Sequence, residues 1–166
     1  MASVLRILPA FLDRHHPAKG KERTEKLKSL ALTPQLKGWN IEMTLFNIFQ
    51  TVLNTLVYKV SNQSEFCTGF ASHNRVKRTH KNTAGLFMEL LPLPMTLAED
   101  ETLFSIFKKT RDNGFESMKN AGAVKPPVAL LRSFNAVLNY IPGGFKSFNG
   151  VPVICDWLHS GHSDSG

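Results

Sequence analysis

Between Thr44 and Val60, Leu45, Phe49, Val52, Leu56 and Val60 recur at three- and four-residue steps, and Phe46, Leu53 and Val57 widen the stripe. That spacing predicts an amphipathic helix, with Thr44 as its N-cap. Ser61-Asn-Gln-Ser64 then turns the chain. Phe66 to Ser72 is apolar on both faces apart from Thr68, the pattern of a central strand covered on both sides. Gly69 in its middle predicts a close backbone approach. Asn74 to Asn82 reads as a polar, basic loop, and Leu86 to Leu91 as a second strand ended by Pro92 and Pro94.

Thr96-Leu-Ala-Glu99 has capping-box form, with Asp100 as an alternative cap. Glu101 to Lys119 follows as a helix, with Leu103, Phe104, Phe107, Phe115 and Met118 on one face and Lys108, Lys109, Asp112, Glu116 and Lys119 on the other. Pro126-Pro127 interrupts the chain, Val128 to Arg132 suits one helical turn, Phe134 to Ile141 alternates like a strand, and Gly143-Gly144 is a turn. Residues 145–166 are Gly- and Ser-rich without a core signal. Residues 1–40 are weakly patterned and punctuated by Pro9, Pro17, Gly20, Pro34 and Gly38, so long elements are not expected there. Lys26 to Leu32 suits a short strand, and Thr33-Pro34 a helix start. Strands alternating with long helices give an α/β fold, a layered mixed sheet with packed helices.

The 166 residues suit one domain with its own core. The net charge of +7 is unevenly spread. Eight Lys and Arg face three Asp and Glu in residues 1–40, and Arg75, Lys77, Arg78 and Lys81 form a second cluster. Neither cluster is interleaved with aromatics, and no zinc-finger or RNP-type spacing occurs, so nucleic acid is not the expected partner. An acidic protein surface fits better. Cys67 and Cys155 make no disulfide framework, and a reduced, cytoplasmic setting is expected. Met1 to Leu12 is short and lacks a small-residue cleavage site, so a signal peptide is not expected. Asn47, Gln50 and Asn54 interrupt the longest apolar helix, which argues against a membrane span.

Four groups of residues invite chemistry. His15-His16 has no orienting carboxylate and reads as an exposed loop. Cys155, His159, His162 and Asp164 include possible metal ligands, but no second cluster completes the shell, so no metal is expected. Arg75 is the strongest single candidate: it follows a strand end beside Asn74, with Gly85 and Phe87 shortly after. The alternative is a structural ion pair. Glu89 lies inside an apolar strand, either outward-facing or as a cleft group.

Glu65-Phe-Cys-Thr-Gly-Phe-Ala-Ser-His-Asn-Arg75, followed by Thr83-Ala-Gly-Leu-Phe-Met-Glu-Leu-Leu-Pro92, resembles the second half of a condensation domain of nonribosomal peptide synthesis, in the chloramphenicol-acetyltransferase-like superfamily. Phe66 to Arg75 resembles the family strand that ends in Gly-x-x-x-x-x-Arg. Thr83 to Pro92 resembles Ile-Gly-x-Phe-Val-Asn-Thr-x-Pro-x-Arg, with Glu89 where Asn is usual and Met95 near the usual Arg. Leu32-Thr-Pro-Gln-Leu36, Met43-Thr-Leu-Phe46 and Phe134-Asn-Ala-Val-Leu-Asn-Tyr140 resemble further landmarks in the same order. The family's catalytic His-His-x-x-x-Asp-Gly is missing, because Pro17-Ala-Lys19 and Gly20-Lys21 follow His15-His16.

The resemblance implies one subdomain of a two-subdomain acyltransferase-like fold: a linker or partial segment over 1–29, the C-terminal subdomain over 30–145 and a tail over 146–166. It implies a cleft wall that includes Asn74, Arg75, Gly85, Phe87 and Glu89, and no catalytic residue within the chain. It implies an acyl or peptidyl carrier protein as partner, with the phosphopantetheine arm as substrate tether and no directly bound cofactor. A complementary N-terminal half would supply the catalytic His. An uncovered cleft wall and sheet edge would favour self-association.

Overall fold

A computed structural model describes residues 17–36, 38–75, 80, 82–121, 134–141 and 147–153. The expected turns at Val128–Arg132 and Gly143-Gly144 lie outside these residues, as do His15, His16, Cys155, His159, His162 and Asp164. The chain divides into two compact units, residues 1–29 with 142–166, and residues 30–141.

In the first unit, helix α1 (Pro17–Ala31) runs where only a short strand was expected, and its last two residues enter the second unit. Pro17 opens the helix instead of breaking it, since the first helical position needs no N–H donor. Lys26 pairs with Glu22 at 2.6 Å and Lys28 with Glu25 at 3.0 Å, helical i,i+4 and i,i+3 spacings. Farther along the chain, strands β4 (Ser147–Phe148) and β5 (Val151–Pro152) form a hairpin in a stretch that showed no core signal. Asn149 and Gly150 have φ of 50° and 82°, the positive pair that a tight hairpin turn requires.

The second unit begins with the end of α1. Thr33 closes that helix, its N–H and its hydroxyl both bonding to the Leu30 carbonyl, so Thr33-Pro34 is a helix end and not a start. Helix α2 (Ile41–Ser61) is capped by Asn40, whose side chain accepts from the Met43 N–H at 2.8 Å. Thr44, the expected cap, lies inside the helix, where its buried hydroxyl donates to the Asn40 carbonyl and accepts from the Gly38 N–H. Asn62 ends α2 in the left-handed region.

Strand β1 (Glu65–Ser72) is central, as its two-sided apolar pattern predicts. Strand β2 (Glu89–Thr96) pairs with it antiparallel, Glu65 against Thr96 through Ser72 against Glu89. Strand β3 (Val137–Leu138) pairs with it in parallel on the other side, shorter than the strand expected over 134–141. A Cβ on Gly69 would sit 2.4 Å from the Phe134 ring, which identifies the close approach expected there.

Pro92 and Pro94 lie within β2 rather than ending it. β2 is an edge strand, and a proline's missing N–H is tolerated on an unpaired edge. Helix α3 (Leu103–Lys119) covers that edge, with Thr102 as its N-cap in place of Thr96 or Asp100. Lys109 Nζ donates to the Thr96 carbonyl at 3.0 Å, Asn113 Nδ2 to Pro94 at 2.8 Å and Ser117 Oγ to Pro92 at 2.7 Å. Four helical residues rise about 6 Å and two strand residues about 6.6 Å, so one side chain per turn meets every second carbonyl.

The apolar core is Phe70, Leu91, Leu93, Met95, Leu97 and Ile106. Against it α2 packs a polar stripe that includes Thr44, Asn47, Gln50, Thr51 and Asn54, with Leu45 beside it. Val52 and Val60, from the expected apolar stripe, stay 59% and 53% exposed. α3 likewise buries Ile106, Phe107, Thr110 and Gly114 while Leu103, Phe104 and Phe115 face solvent. The inversion is possible because the inward polar groups satisfy one another. Asn54 Nδ2 donates to Thr110 Oγ1 at 3.0 Å, Thr68 Oγ1 to Asn54 Oδ1 at 2.7 Å, and Gln50 Nε2 to Thr68 Oγ1 at 2.9 Å.

Candidate functional site

The candidate site grows from the end of β1. Asn74 has a φ of 46°, a left-handed turn that asparagine tolerates better than most residues. Its N–H donates to Ser72 Oγ, and the next N–H, of Arg75, donates to His73 Nδ1 at 3.0 Å. Two local side-chain bonds therefore fix the direction in which the chain leaves the sheet. Asn74 Nδ2 donates to Glu89 Oε2 at 3.1 Å. Glu89 stands opposite Ser72 in the β1–β2 register, so this bond ties the loop to both strands.

Arg75 then gathers the returning chain. Its Nη1 donates to the carbonyls of His80 and Thr83, and its Nη2 to the Gly85 carbonyl at 2.9 Å. Its Cζ lies 4.4 Å from the centroid of the Phe87 ring, a cation–π contact. The His80 ring lies 5.1 Å from that of Phe87. Gly85, at φ 149°, holds a backbone conformation that a side chain would strain. A planar guanidinium with several fixed donors suits three carbonyls arriving from different directions. Among the described residues no carboxylate pairs with Arg75, so the ion-pair alternative does not hold.

Asn74, Arg75, Gly85, Phe87 and Glu89, far apart in sequence, thus form one cluster. It contains no nucleophile beside a base. What it can do chemically is hold a loop in one shape and present that surface to a ligand or partner. Cys67, on the same strand, is no activated thiol: burial pushes its pKa up, opposed only in part by the Leu93 backbone. Tyr140 is pushed up to about 12, first by burial and then by the Glu42 carboxylate that accepts its hydroxyl proton at 2.8 Å. Among the described residues no group of three or more His, Cys, Asp or Glu could hold a metal, and no helix is long and apolar enough to cross a membrane.

Sequence reasoning missed the Gln50–Asn54–Thr68–Thr110 layer. The available signal was two amides four residues apart in an apolar helix, with one threonine in an apolar strand. Gln50 Oε1 remains without a partner among the described residues.

A mixed α/β unit with a positioning loop, and no proton-transfer pair within it, defines the class of protein. Residues 25–123 match the Condensation domain family, and the chain belongs to that family. It is 26% identical over 133 residues, 72% of its length, to a polyketide synthase-nonribosomal peptide synthetase hybrid of Aspergillus japonicus. It is 25% identical over 57% of its length to a hybrid PKS-NRPS synthetase of Aspergillus flavus, and 26% over 62% to the fusarin C synthetase of Gibberella moniliformis. The chain spans only 2% to 3% of the length of these relatives. The family match runs from within α1 to just past α3 and includes the whole Arg75 cluster.

Proposed function

We propose that the chain is the C-terminal subdomain of a condensation-type acyltransferase that joins carrier-bound thioesters through an amide or ester bond. The observation that carries this reading is the Arg75 lock, three carbonyls and one aromatic ring held by a single guanidinium within the family-matched region. The locked loop forms one wall of a cleft. The wall holds two reactants, each tethered by a phosphopantetheine arm of a carrier protein, in attack geometry. Positioning of this kind contributes about 7–11 kcal/mol in favourable cases. A His from a complementary N-terminal half handles the proton, and the net charge of +7 favours encounter with an acidic carrier.

The test is a condensation assay with two loaded carrier proteins, run on this chain alone and beside a half that contains His-His-x-x-x-Asp-Gly. No product from the chain alone, and product from the pair, is expected. Product from the chain alone would overturn the reading. A second reading, a carrier-docking module without catalysis, is favoured by the absence of a nucleophile–base pair from the Arg75 cluster, and carrier binding with no product from the pair would support it.

A further inference from the structure

A cavity of about 420 Å³ opens between the start of α2, the segment before it and the outer face of α3, away from the Arg75 cluster. Its size lies within the range of small-molecule sites. Trp39 and Phe115 meet edge to face at 5.5 Å at its mouth, and Trp39 is 84% exposed. Met43 and Met118 supply adaptable apolar wall. The one buried residue in the lining is Asn47, 5% exposed. Its carbonyl accepts from Thr51 Oγ1, but its side-chain amide has no hydrogen-bond partner among the described residues. A buried amide without a partner in an apolar pocket points to a ligand that supplies one.

The rim sets the charge. Arg111 Nε is paired with Asp112 at 2.8 Å, and Glu116 lies 3.8 Å from Lys119. No cation is left over at the rim to hold an anion.

We propose that this cavity binds a small neutral molecule with an aromatic or branched apolar body and one amide group. The body lies against Trp39 and Phe115, and the amide exchanges hydrogen bonds with Asn47. This site is separate from the proposed cleft wall and does not depend on condensation activity.

The probe is para-fluorobenzamide, followed by fluorine NMR line broadening on the whole chain, with para-fluorobenzoate as its charged counterpart. Saturable binding of the amide is expected, with a dissociation constant on the order of millimolar for so small a ligand. The benzoate should bind at least about tenfold more weakly. Trp39→Ala, an exposed position whose loss should leave the fold intact, should abolish saturable binding. Asn47→Leu should weaken the amide about tenfold. If Asn47→Leu does not fold, Trp39→Ala and the two probes decide the matter. No saturable binding, equal binding of amide and benzoate, or unchanged affinity in Trp39→Ala would overturn the proposal.

Discussion

Arg75 illustrates how one side chain can act through geometry rather than through reaction. A lysine would bring the same charge but only a single ammonium, and could not reach three carbonyls and lie flat on Phe87 together. Arg75→Lys is therefore expected to loosen the loop nearly as much as Arg75→Ala. The local cost should be about 1–2 kcal/mol, as for the loss of partly exposed, charge-assisted hydrogen bonds. Hydrogen exchange of the amides from Asn74 to Met88 would read it, with β1 and β2 protection little changed. Retained loop protection in Arg75→Lys would show that charge alone holds the segment. Arg75 was identifiable in sequence because it follows a strand end. Its carbonyl partners were not, because backbone acceptors leave no trace in residue identity. Glu89 reads similarly: its neighbours suggest an outward or cleft carboxylate, and only the strand register brings it to Asn74.

At the scale of elements, the periodicities of α2 and α3 locate the helices but misidentify their inner faces. Apolar residues outnumber polar ones along α2, and a stripe count assumes that the larger apolar arc is buried. The fold instead buries Gln50 and Asn54, because Thr68 and Thr110 arrive from β1 and α3 to complete their bonds. Such long-range pairing is invisible in one helix read by itself. The prolines of β2 mislead for a related reason. Their cost depends on whether a neighbouring strand needs their N–H, and on that edge α3 uses only carbonyls. The central position of β1 and the tight spot at Gly69 were legible, since both rest on strictly local signals.

A stability prediction follows from the inverted helix. Asn54→Ala leaves Thr110, Thr68 and Gln50 short of partners and should destabilise the protein by about 2–4 kcal/mol. Val52→Asn, within the apolar stripe but solvent-exposed, should stay within about 0.5 kcal/mol of the parent. Urea unfolding of the two variants measures the contrast directly. Similar costs at both positions would mean that α2 faces the core as its apolar stripe suggests.

At the scale of the whole molecule, a mixed α/β unit of the Condensation domain family presents a locked loop at the end of its central strand. Self-association through an open sheet edge was one expectation for such a half-domain. The β2 edge, however, is occupied by Lys109, Asn113 and Ser117 of α3, so that edge offers no free row of carbonyls to a second copy. The proposed partner is instead a carrier protein met by a basic surface, an encounter that should weaken as salt rises. The central claim is that the Arg75 loop faces a tethered substrate. The most direct measurement is an NMR titration of the chain with a carrier protein, once bearing an acylated phosphopantetheine arm and once without the arm. The account predicts that resonances of Asn74, Arg75, Gly85 and Phe87 shift with the loaded carrier far more than with the bare one. Equal shifts with both carriers, or none at these residues, would contradict it.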